Sequence, residues 1–444
     1  MVKFLTIILY IMLISNSESL VAQISAIEFR EFDLDNGLHV ILHKDNTNPI
    51  VSVDIWYHVG AKDEDPGRTG FAHLFEHMMF QGSKNVGKTD HFNYIQNAGG
   101  TLNGTTNQDR TNYFETAPSN QLELLLWLES DRMATLQVTQ ENFDNQREVV
   151  KEEKRQRYDN VPYGSRWGEM MKRLFKGQTY EWIPIGSMED LNSADLNYAQ
   201  EFYRKYYSPD NAVVVVSGDI DYDETASLVK KYFGDIKPAN NIKNKYAKII
   251  FNQGEVKDVI YDNVQLPAVY IGYKIPGTTD KDIQALEILS MILGDGRSSR
   301  IYKDIVYENK SAKSAGSFIW DNEIGGMFIV YATGFKDTNP DSLISRLTSI
   351  VNSITTEHVN DTELEKTKNA LENDHINRMQ TIMGKADMLA SYWTFHKNTS
   401  LINTHIDEFL SVSKEDILNA AKKYLSSNNR VVLTYLPNKD KKIN

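Results

Sequence analysis

The chain has no cysteine among its 444 residues. This absence excludes disulfide bonds, thiolate zinc ligands and a lipid-modified N-terminal cysteine. The chain also has no excess of positive charge, because 48 basic residues face 60 acidic ones and the net charge is −12. The one short basic run, residues 439–442, is interpreted as a solvated terminus, so nucleic acid is not expected as a partner. At this length we expect two or more domains.

Long apolar runs are missing as well, except at the N-terminus. Lys3 precedes an apolar run over residues 4–14, and a polar segment follows at residues 15–18. This layout is typical of a secretory signal and is too short for a comfortable membrane span. We therefore expect a signal peptide over residues 1–23, export to the periplasm or the outside, and no stable membrane span after cleavage. An uncleaved anchor is the alternative.

What the chain does contain is a His-Leu-Phe-Glu-His motif at residues 73–77. On a helix, for which Thr69 is the predicted N-cap, His73 and His77 lie one turn apart with Glu76 beside them. Two imidazoles at this spacing can hold one Zn²⁺, and the carboxylate can take a proton from water. This order of residues is the inverzincin signature. In a chain with ten histidines the motif alone is a modest signal, so its context decides.

Two pairs of segments recur at one offset, 218 residues (267 − 49 and 423 − 205). The strand-like residues 49–60 match 267–277, and residues 205–211 match 423–429. The matches indicate a duplicated domain with its boundary in the polar stretch 237–245, which gives a first unit at 24–236 and a second at 246–444. The equivalents of the motif residues in the second unit are Met291, Gly294 and Asp295. The second unit is therefore expected to lack zinc ligands.

Zinc needs a third protein ligand, and residues 141–157 supply a candidate on a predicted helix. The least charged stripe of this helix contains Phe143, Gln146, Val149 and Val150, and it continues to Glu153. A carboxylate on a buried stripe needs a cation or a metal to offset its desolvation. Glu152 lies about 100° away, on the solvated side, and is the weaker candidate. The alternative for Glu153 is a salt bridge to an Arg or Lys, but the His motif favours metal ligation.

The chain resembles the pitrilysin/insulinase family of zinc peptidases, most closely the short branch that includes mitochondrial processing peptidase and bacterial relatives. The segments HLFEHMMFQGS, NQREVVKEEKRQR and FYRKYYSPDNAVVVVSGDID carry this resemblance, which extends over about residues 27–436. It implies an α+β fold of two homologous domains, each a mostly antiparallel sheet packed with helices. It also implies one zinc ion per chain, held by His73, His77 and Glu153, with Glu76 as the general base.

The resemblance also implies a residue that supports the ligands. Well-studied members carry a second Glu seven residues before the third ligand, oriented toward a zinc-bound His, where this chain has Gln146. Gln146 can still accept a hydrogen bond from an imidazole N–H but brings no charge, so weaker tuning of the metal is expected.

Residues 101–106 and 110–116 predict a β-hairpin. In the family the matching first strand is an edge beside the zinc, to which substrate adds as a further strand. The resemblance therefore implies that Asn103, Gly104 and Thr105 contact the substrate. The alternative is an ordinary polar edge strand.

Arg300 and Tyr307 lie seven residues apart, which is two turns on one face of an α-helix. From the residues alone they are a surface Arg and a packed Tyr, and His58 and His91 are likewise strand and helix-surface histidines. The resemblance matches Arg300 and Tyr307, with Tyr302 as a fallback, to a pair that holds substrate and stabilises the oxyanion from the other half of a clamshell.

These observations predict a zinc-dependent endopeptidase that hydrolyses peptides or unfolded segments inside a chamber. Long family members have four domains and this chain has two, so the resemblance implies a second subunit. A homodimer, in which each subunit completes the other's site, is one expectation. The alternatives are the catalytic subunit of a heterodimer with a zinc-free partner, and a non-catalytic assembly subunit.

Overall fold

The strands form two sheets, one in each half of the chain, and this computed structural model describes residues 26–240 and 246–438. The first sheet contains β1 (Arg30–Asp33), β2 (His39–Lys44), β3 (Ile50–Tyr57), β4 (Thr101–Thr106), β5 (Thr111–Pro118) and β6 (Ala212–Gly218). Its order is β1-β2-β6-β3-β5-β4, and β2 and β6 are its parallel pair. The predicted signal peptide lies outside the described residues.

The second sheet contains β7 (Gly254–Asp262), β8 (Ala268–Pro276), β9 (Ala312–Trp320), β10 (Gly325–Gly334) and β11 (Asn429–Pro437). Its order is β7-β11-β8-β10-β9, with β7 and β11 parallel. The α+β fold of two mostly antiparallel sheets is therefore confirmed.

Helices cover both sheets. In the first half they are α1 (Phe71–Met78), α2 (Asp90–Asn97), α3 (Leu122–Thr135), α4 (Gln140–Lys154), α5 (Arg166–Leu174), α6 (Met188–Ser193), α7 (Leu196–Tyr206) and α8 (Tyr222–Phe233). In the second half they are α9 (Ile283–Gly294), α10 (Pro340–Ile354), α11 (Asp361–Met379), α12 (Ile382–Ser391), α13 (His405–Ser411) and α14 (Lys414–Tyr424). Short π-helical segments span Arg155–Asp159, Tyr302–Glu308 and Tyr392–His396. No helix among the described residues is both long and apolar enough to cross a membrane.

In each half of the chain, one helix packs against the sheet of the other half. Helix α5 packs on β8 and β11, and α12 packs on β3 and β6. At the first contact a Cβ on Gly272 would lie 2.7 Å from Met170 Sδ, so glycine is what lets α5 approach the strand. The internal repeat also extends to the helices, because α7 and α14 begin 218 residues apart, at Leu196 and Lys414.

Strand β3 is more deeply buried than its sequence predicts. Its alternating sequence predicts a half-buried strand, but every residue from Val51 to Tyr57 is buried. The reason is helix α12 of the second half, which covers the face of β3 that would otherwise be exposed to solvent. The polar groups on β3 find partners there, since Asp54 accepts hydrogen bonds from Trp56 Nε1 at 2.9 Å and from Asn112 Nδ2 at 3.0 Å.

Candidate metal centre

Helix α1 carries the motif, and its apolar side fixes the direction of the histidines. Phe71, Ala72, Leu74, Phe75 and Met78 are buried. The three polar residues of the motif lie on the remaining side, where each is half-buried. The helix is therefore held by its core face, and His73, Glu76 and His77 face the opposite way.

The first turn of α1 is capped by a residue that the sequence did not predict. The prediction of Thr69 as N-cap is wrong, because its hydroxyl donates to Asp190 and the helix begins after Gly70 at a φ of 96°. The carboxylate of Glu64 instead accepts hydrogen bonds from the N–H groups of Gly70 and Ala72, each at 2.9 Å. Glu64 thus supplies the acceptors that the N–H groups of this buried helix terminus need.

One oxygen of Glu153 faces both histidines. Glu153 Oε2 lies 3.2 Å from His77 Nε2 and 3.6 Å from His73 Nε2. A tetrahedral zinc with bonds of about 2.0–2.2 Å has its ligand atoms about 3.3–3.6 Å apart. The separations match a shared zinc ion, and two imidazoles with one carboxylate form a donor set that catalytic zinc sites use. The three side chains therefore fit the metal.

Helix α4 brings Glu153 to this position much as its sequence predicts. Thr139 is its N-cap, and Phe143, Gln146 and Val150 are buried. Val149 departs from the predicted stripe because it is 42% exposed. The weaker candidate, Glu152, points to solvent and pairs with Arg155 at 3.0 Å.

The local environment holds two of the three groups, His73 and Glu153, in the protonation states that a metal requires. Burial and the neighbouring His77 lower the pKa of His73 to about 4. A hydrogen bond from His77 is the largest effect on Glu153, and it lowers the pKa of that carboxyl. At neutral pH the site therefore offers neutral His73 and an ionised carboxylate, the forms that bind zinc.

Glu76 lies between the histidines and strand β4. A Cβ on Gly104 would lie 3.3 Å from Glu76 Cγ and 3.1 Å from the ring of Tyr113, so the missing side chain of Gly104 leaves room for Glu76. Burial raises the pKa of Glu76, although the Thr106 hydroxyl and His77 partly offset this effect. A raised pKa makes the carboxylate a better proton acceptor.

The second half has no space for an equivalent of Glu76. Its counterpart is Gly294, at the end of α9, where a Cβ would lie 1.9 Å from the backbone nitrogen of Ser317. Helix α9 therefore packs directly against β9 where α1 carries its catalytic candidate.

A second group of potential ligands, His91, Glu115 and Glu129, is a buried ion network. His91 is only 4% exposed and its Nε2 contacts Glu115, so its interpretation as a helix-surface histidine is wrong. Arg132 Nε donates to Glu129 at 3.0 Å, and its NH2 lies 3.8 Å from Glu115. The guanidinium already supplies the positive charge that these carboxylates need, which disfavours a metal there. His58 is the other histidine that was not expected to be a ligand. Its Nε2 lies 2.7 Å from Glu323 Oε2 of the second half.

Strand β4 is an edge strand beside the metal centre, as predicted. Among the strands that the structure describes it pairs with β5 alone, and α1 packs against it. Asn103 is exposed and Gly104 is buried against α1. Thr105 is already engaged, because Arg110 NH1 donates to its carbonyl at 2.9 Å and its hydroxyl donates to Asn112 at 2.6 Å.

Gln146 is buried on α4, where its amide could accept a hydrogen bond from an imidazole. Within the described residues no hydrogen bond joins it to either imidazole, and His73 Nδ1 has no hydrogen-bond partner. The structure thus places Gln146 on the buried face of α4 without a hydrogen bond to the histidines, and its role in tuning the metal stays a prediction.

Arg300 and Tyr307 do not form a pair on one helical face. Arg300 donates to both carboxylate oxygens of Glu363, at 2.8 and 2.6 Å, and Glu363 is fixed in the capping box of α11. The chain from Tyr302 to Glu308 is π-helical, so seven residues no longer make two full turns. Tyr307 is 73% exposed, and Tyr302 is partly buried in the same π-helix. Both the Arg and the Tyr lie in the second half of the chain, and among the described residues the charged partner of Arg300 is Glu363, not a residue of the metal centre.

A helix with a His-x-x-Glu-His motif and a carboxylate from a second helix is the arrangement of the inverzincin class of metallopeptidases. The family description "Insulinase (Peptidase family M16)" matches residues 39–181, and "Peptidase M16 inactive domain" matches residues 193–371. The chain belongs to the M16 (insulinase) peptidase family.

Similar proteins are named as zinc proteases. A zinc protease named PqqE from Helicobacter pylori is 29% identical over 418 residues, which cover 93% of this chain and 94% of that protein. A protein of Mycobacterium leprae named as an uncharacterised zinc protease is 28% identical over 301 residues, 67% of each chain.

Solved structures agree with the fold. The crystal structure of a protease from Helicobacter pylori has a TM-score of 0.87 at 27% identity and covers 93% of this chain and 100% of that chain. The periplasmic protease PqqL of Escherichia coli has a TM-score of 0.74 at 17% identity, and the match covers 93% of this chain but 48% of that one. At that identity the likeness to PqqL concerns the fold.

Proposed function

We propose that the protein is a zinc-dependent endopeptidase that hydrolyses peptides or unfolded protein segments, with one zinc ion per chain. The observation that carries the proposal is the convergence of His73, His77 and Glu153 at zinc-ligand separations, with Glu76 beside them. The names of the similar zinc proteases support it.

In the proposed mechanism the protein supplies positioned donors and a base. Zinc, when bound, supplies Lewis acidity that polarises a peptide carbonyl and makes water more acidic. His73, His77 and Glu153 would hold the ion. Glu76, whose pKa is raised by burial, accepts a proton at its carboxylate from the attacking water and later gives it to the leaving amine.

The free edge of β4 is proposed to bind the substrate backbone. Asn107 N donates to Arg110 O at 3.0 Å, so the backbone groups of Asn107 point toward β5. Because these groups alternate along an antiparallel strand, Asn103 and Thr105 also point inward, whereas Gly104 points outward. We infer that Gly104 makes the main-chain hydrogen bonds to substrate, while the side chains of Asn103 and Thr105 border it.

A second homologous subunit is proposed to complete the chamber. The chain matches 48% of PqqL but 93% of the structure described as the first half of PqqL, so it corresponds in size to one half of that protein. In a homodimer, Arg300 and Tyr307 would serve the partner's zinc site, which requires Glu363 to release Arg300. The ion pair of Arg300 favours the second candidate, a heterodimer whose zinc-free partner supplies these groups.

The remaining assignments follow from the same proposal. Residues 24–236 form the zinc-binding half and residues 246–444 the half without ligands. Export to the periplasm or the outside rests on the N-terminal sequence of residues 1–23, and a structural neighbour is named as a periplasmic protease.

The decisive experiment compares wild type with Glu76→Gln. We expect one zinc per chain in both proteins by metal analysis, since Glu76 is not a ligand. Cleavage of a quenched fluorescent peptide by the variant should be at least about a hundredfold slower, because the general base is lost. Glu152→Gln, a change on the solvated side of α4, should leave both quantities unchanged.

Equal activity in Glu76→Gln would refute the mechanism. Zinc binding by wild type without any peptide cleavage would instead favour the third candidate, a non-catalytic assembly subunit.

A further inference from the structure

Arg157 binds the oxygen of Glu153 that faces away from the histidines. Its NH1 lies 2.8 Å from Glu153 Oε1, whereas Oε2 is the oxygen near His73 and His77. The Glu153 side chain is 16% exposed and the Arg157 side chain is 74% exposed. The two oxygens of one carboxylate are thus divided between the histidine pair and the arginine.

The neighbouring cations on this stretch have other partners. Helix α4 ends at Lys154, and the chain continues as the π-helix Arg155–Asp159. Lys154 pairs with Asp159 at 2.9 Å, and Arg155 pairs with Glu152 at 3.0 Å. Arg157 alone of these three is directed at the ligand, although all three carry the same charge.

We propose that Arg157 is a positioning residue that keeps Glu153 Oε1 off the metal, so that the carboxylate binds zinc through Oε2 alone. The inference rests on the zinc peptidase proposed above and adds a residue to it. A carboxylate that binds through both oxygens takes two coordination positions, whereas a catalytic zinc site must leave a position open for water.

The charge and closeness of the contact are the reason to expect this effect. The Arg157 guanidinium forms an ion pair with Glu153 Oε1 at 2.8 Å, and its positive charge competes directly with a metal for that oxygen. An exposed ion pair without such a role contributes little to stability. A purely structural role for Arg157 therefore predicts no change in the metal site when the arginine is removed.

The test compares Arg157→Gln, Arg157→Lys and the matched control Arg155→Gln. The zinc dissociation constant is measured by competition with a chromophoric chelator, and the geometry is monitored by the visible spectrum of the Co²⁺-loaded protein. In Arg157→Gln we expect zinc to bind about tenfold more weakly, as is typical when a group that orients a ligand is lost. We also expect the visible Co²⁺ absorption to weaken, because four-coordinate Co²⁺ absorbs more strongly than five-coordinate Co²⁺.

Arg157→Lys should retain most of the wild-type zinc affinity and most of the visible Co²⁺ absorption. Arg155→Gln should match wild type in both measurements. Because Arg157 is exposed, the variants should fold, which circular dichroism checks. An unchanged dissociation constant or an unchanged Co²⁺ spectrum in Arg157→Gln overturns the inference. Failure of wild type to bind zinc overturns the proposed function instead, so the two failures are distinguishable.

Discussion

At the scale of single residues, the site depends on one missing side chain as much as on the ligands. Gly104 leaves a gap on β4 that Glu76 fills, and in the second half the corresponding gap is closed because Gly294 lies against Ser317. The two halves therefore differ at these glycines: Gly104 leaves space beside Glu76 in the half with the candidate site, whereas Gly294 is closely packed in the other half.

Gly104→Val tests this arrangement. A branched side chain would press on Glu76 and on the ring of Tyr113, and a displacement of about 1 Å at a reacting group can slow catalysis about a hundredfold. We expect kcat to fall by about this factor while the zinc content stays at the wild-type value. Thr101→Val, an exposed position on the same strand, should have no such effect. A wild-type kcat in Gly104→Val would show that the gap is not needed.

Sequence reasoning found the residues whose relation is local and missed those whose partners are distant. His73, Glu76 and His77 lie within five residues, and Glu153 lies on a helix whose apolar stripe is visible in the sequence. Arg300 could not be interpreted in the same way, because its partner Glu363 is 63 residues away. The contact of His91 with Glu115, which in turn lies beside Arg132, likewise joins residues that no periodicity connects.

At the scale of secondary-structure elements, the turn after β4 is fastened to the turn between β9 and β10. Asp109 accepts hydrogen bonds from the backbone N–H of Glu323 at 2.9 Å and from the Tyr180 hydroxyl at 2.6 Å. The fully buried Lys62 ammonium lies 2.9 Å from Glu323 Oε2, and His58 Nε2 lies 2.7 Å from the same oxygen. The end of the proposed substrate strand is therefore held by the second half of the chain.

Glu323→Gln should change how stability depends on pH. Burial alone would raise the pKa of Glu323, but the bond from His58 and the charge of Lys62 lower it to about 2, below the ordinary value of 4.5. A carboxyl with a lowered folded pKa stabilises the fold above its unfolded pKa, and this contribution is lost as the pH falls from about 4.5 through about 2. Chemical denaturation of zinc-free proteins should therefore show wild type more stable than the variant at pH 6, with a difference that narrows toward pH 2. A difference independent of pH contradicts this assignment.

The packing of α5 and α12 on the opposite sheets could not be predicted from the sequence for a related reason. The repeat predicts two similar units, and both sheets have the predicted strands. The packing of α5 and α12 on the opposite sheets is set by contacts between residues about 100 to 330 positions apart, and it turns β3 from a half-buried strand into a fully buried one. An amphipathic helix shows that it has an apolar face but not which sheet will cover that face.

At the level of the whole molecule, the homodimer and heterodimer proposals differ in which chain supplies the Arg and Tyr groups to the zinc site. Mixing Glu76→Gln subunits with Arg300→Ala subunits distinguishes the two proposals. In a homodimer with trans complementation, hybrids contain one site with both groups intact, so about a quarter of the wild-type sites should be restored by random pairing. Peptide cleavage after mixing, with light scattering to confirm the assembly, is the measurement. If mixing restores no peptide cleavage, and Arg300→Ala subunits alone cleave at the wild-type rate, the homodimer is contradicted and a different partner is supported.

The packing of α5 and α12 on opposite sheets also restricts how the two halves can move. Because α5 and α12 each sit on the sheet of the opposite half, pulling the two halves apart would expose the buried faces of β3, β6, β8 and β11 together. Such a rupture would expose as much apolar surface as opening a protein core, so we do not expect this junction to act as a hinge. In the proposed two-subunit chamber, the gap that admits a polypeptide is therefore expected at the boundary between the subunits.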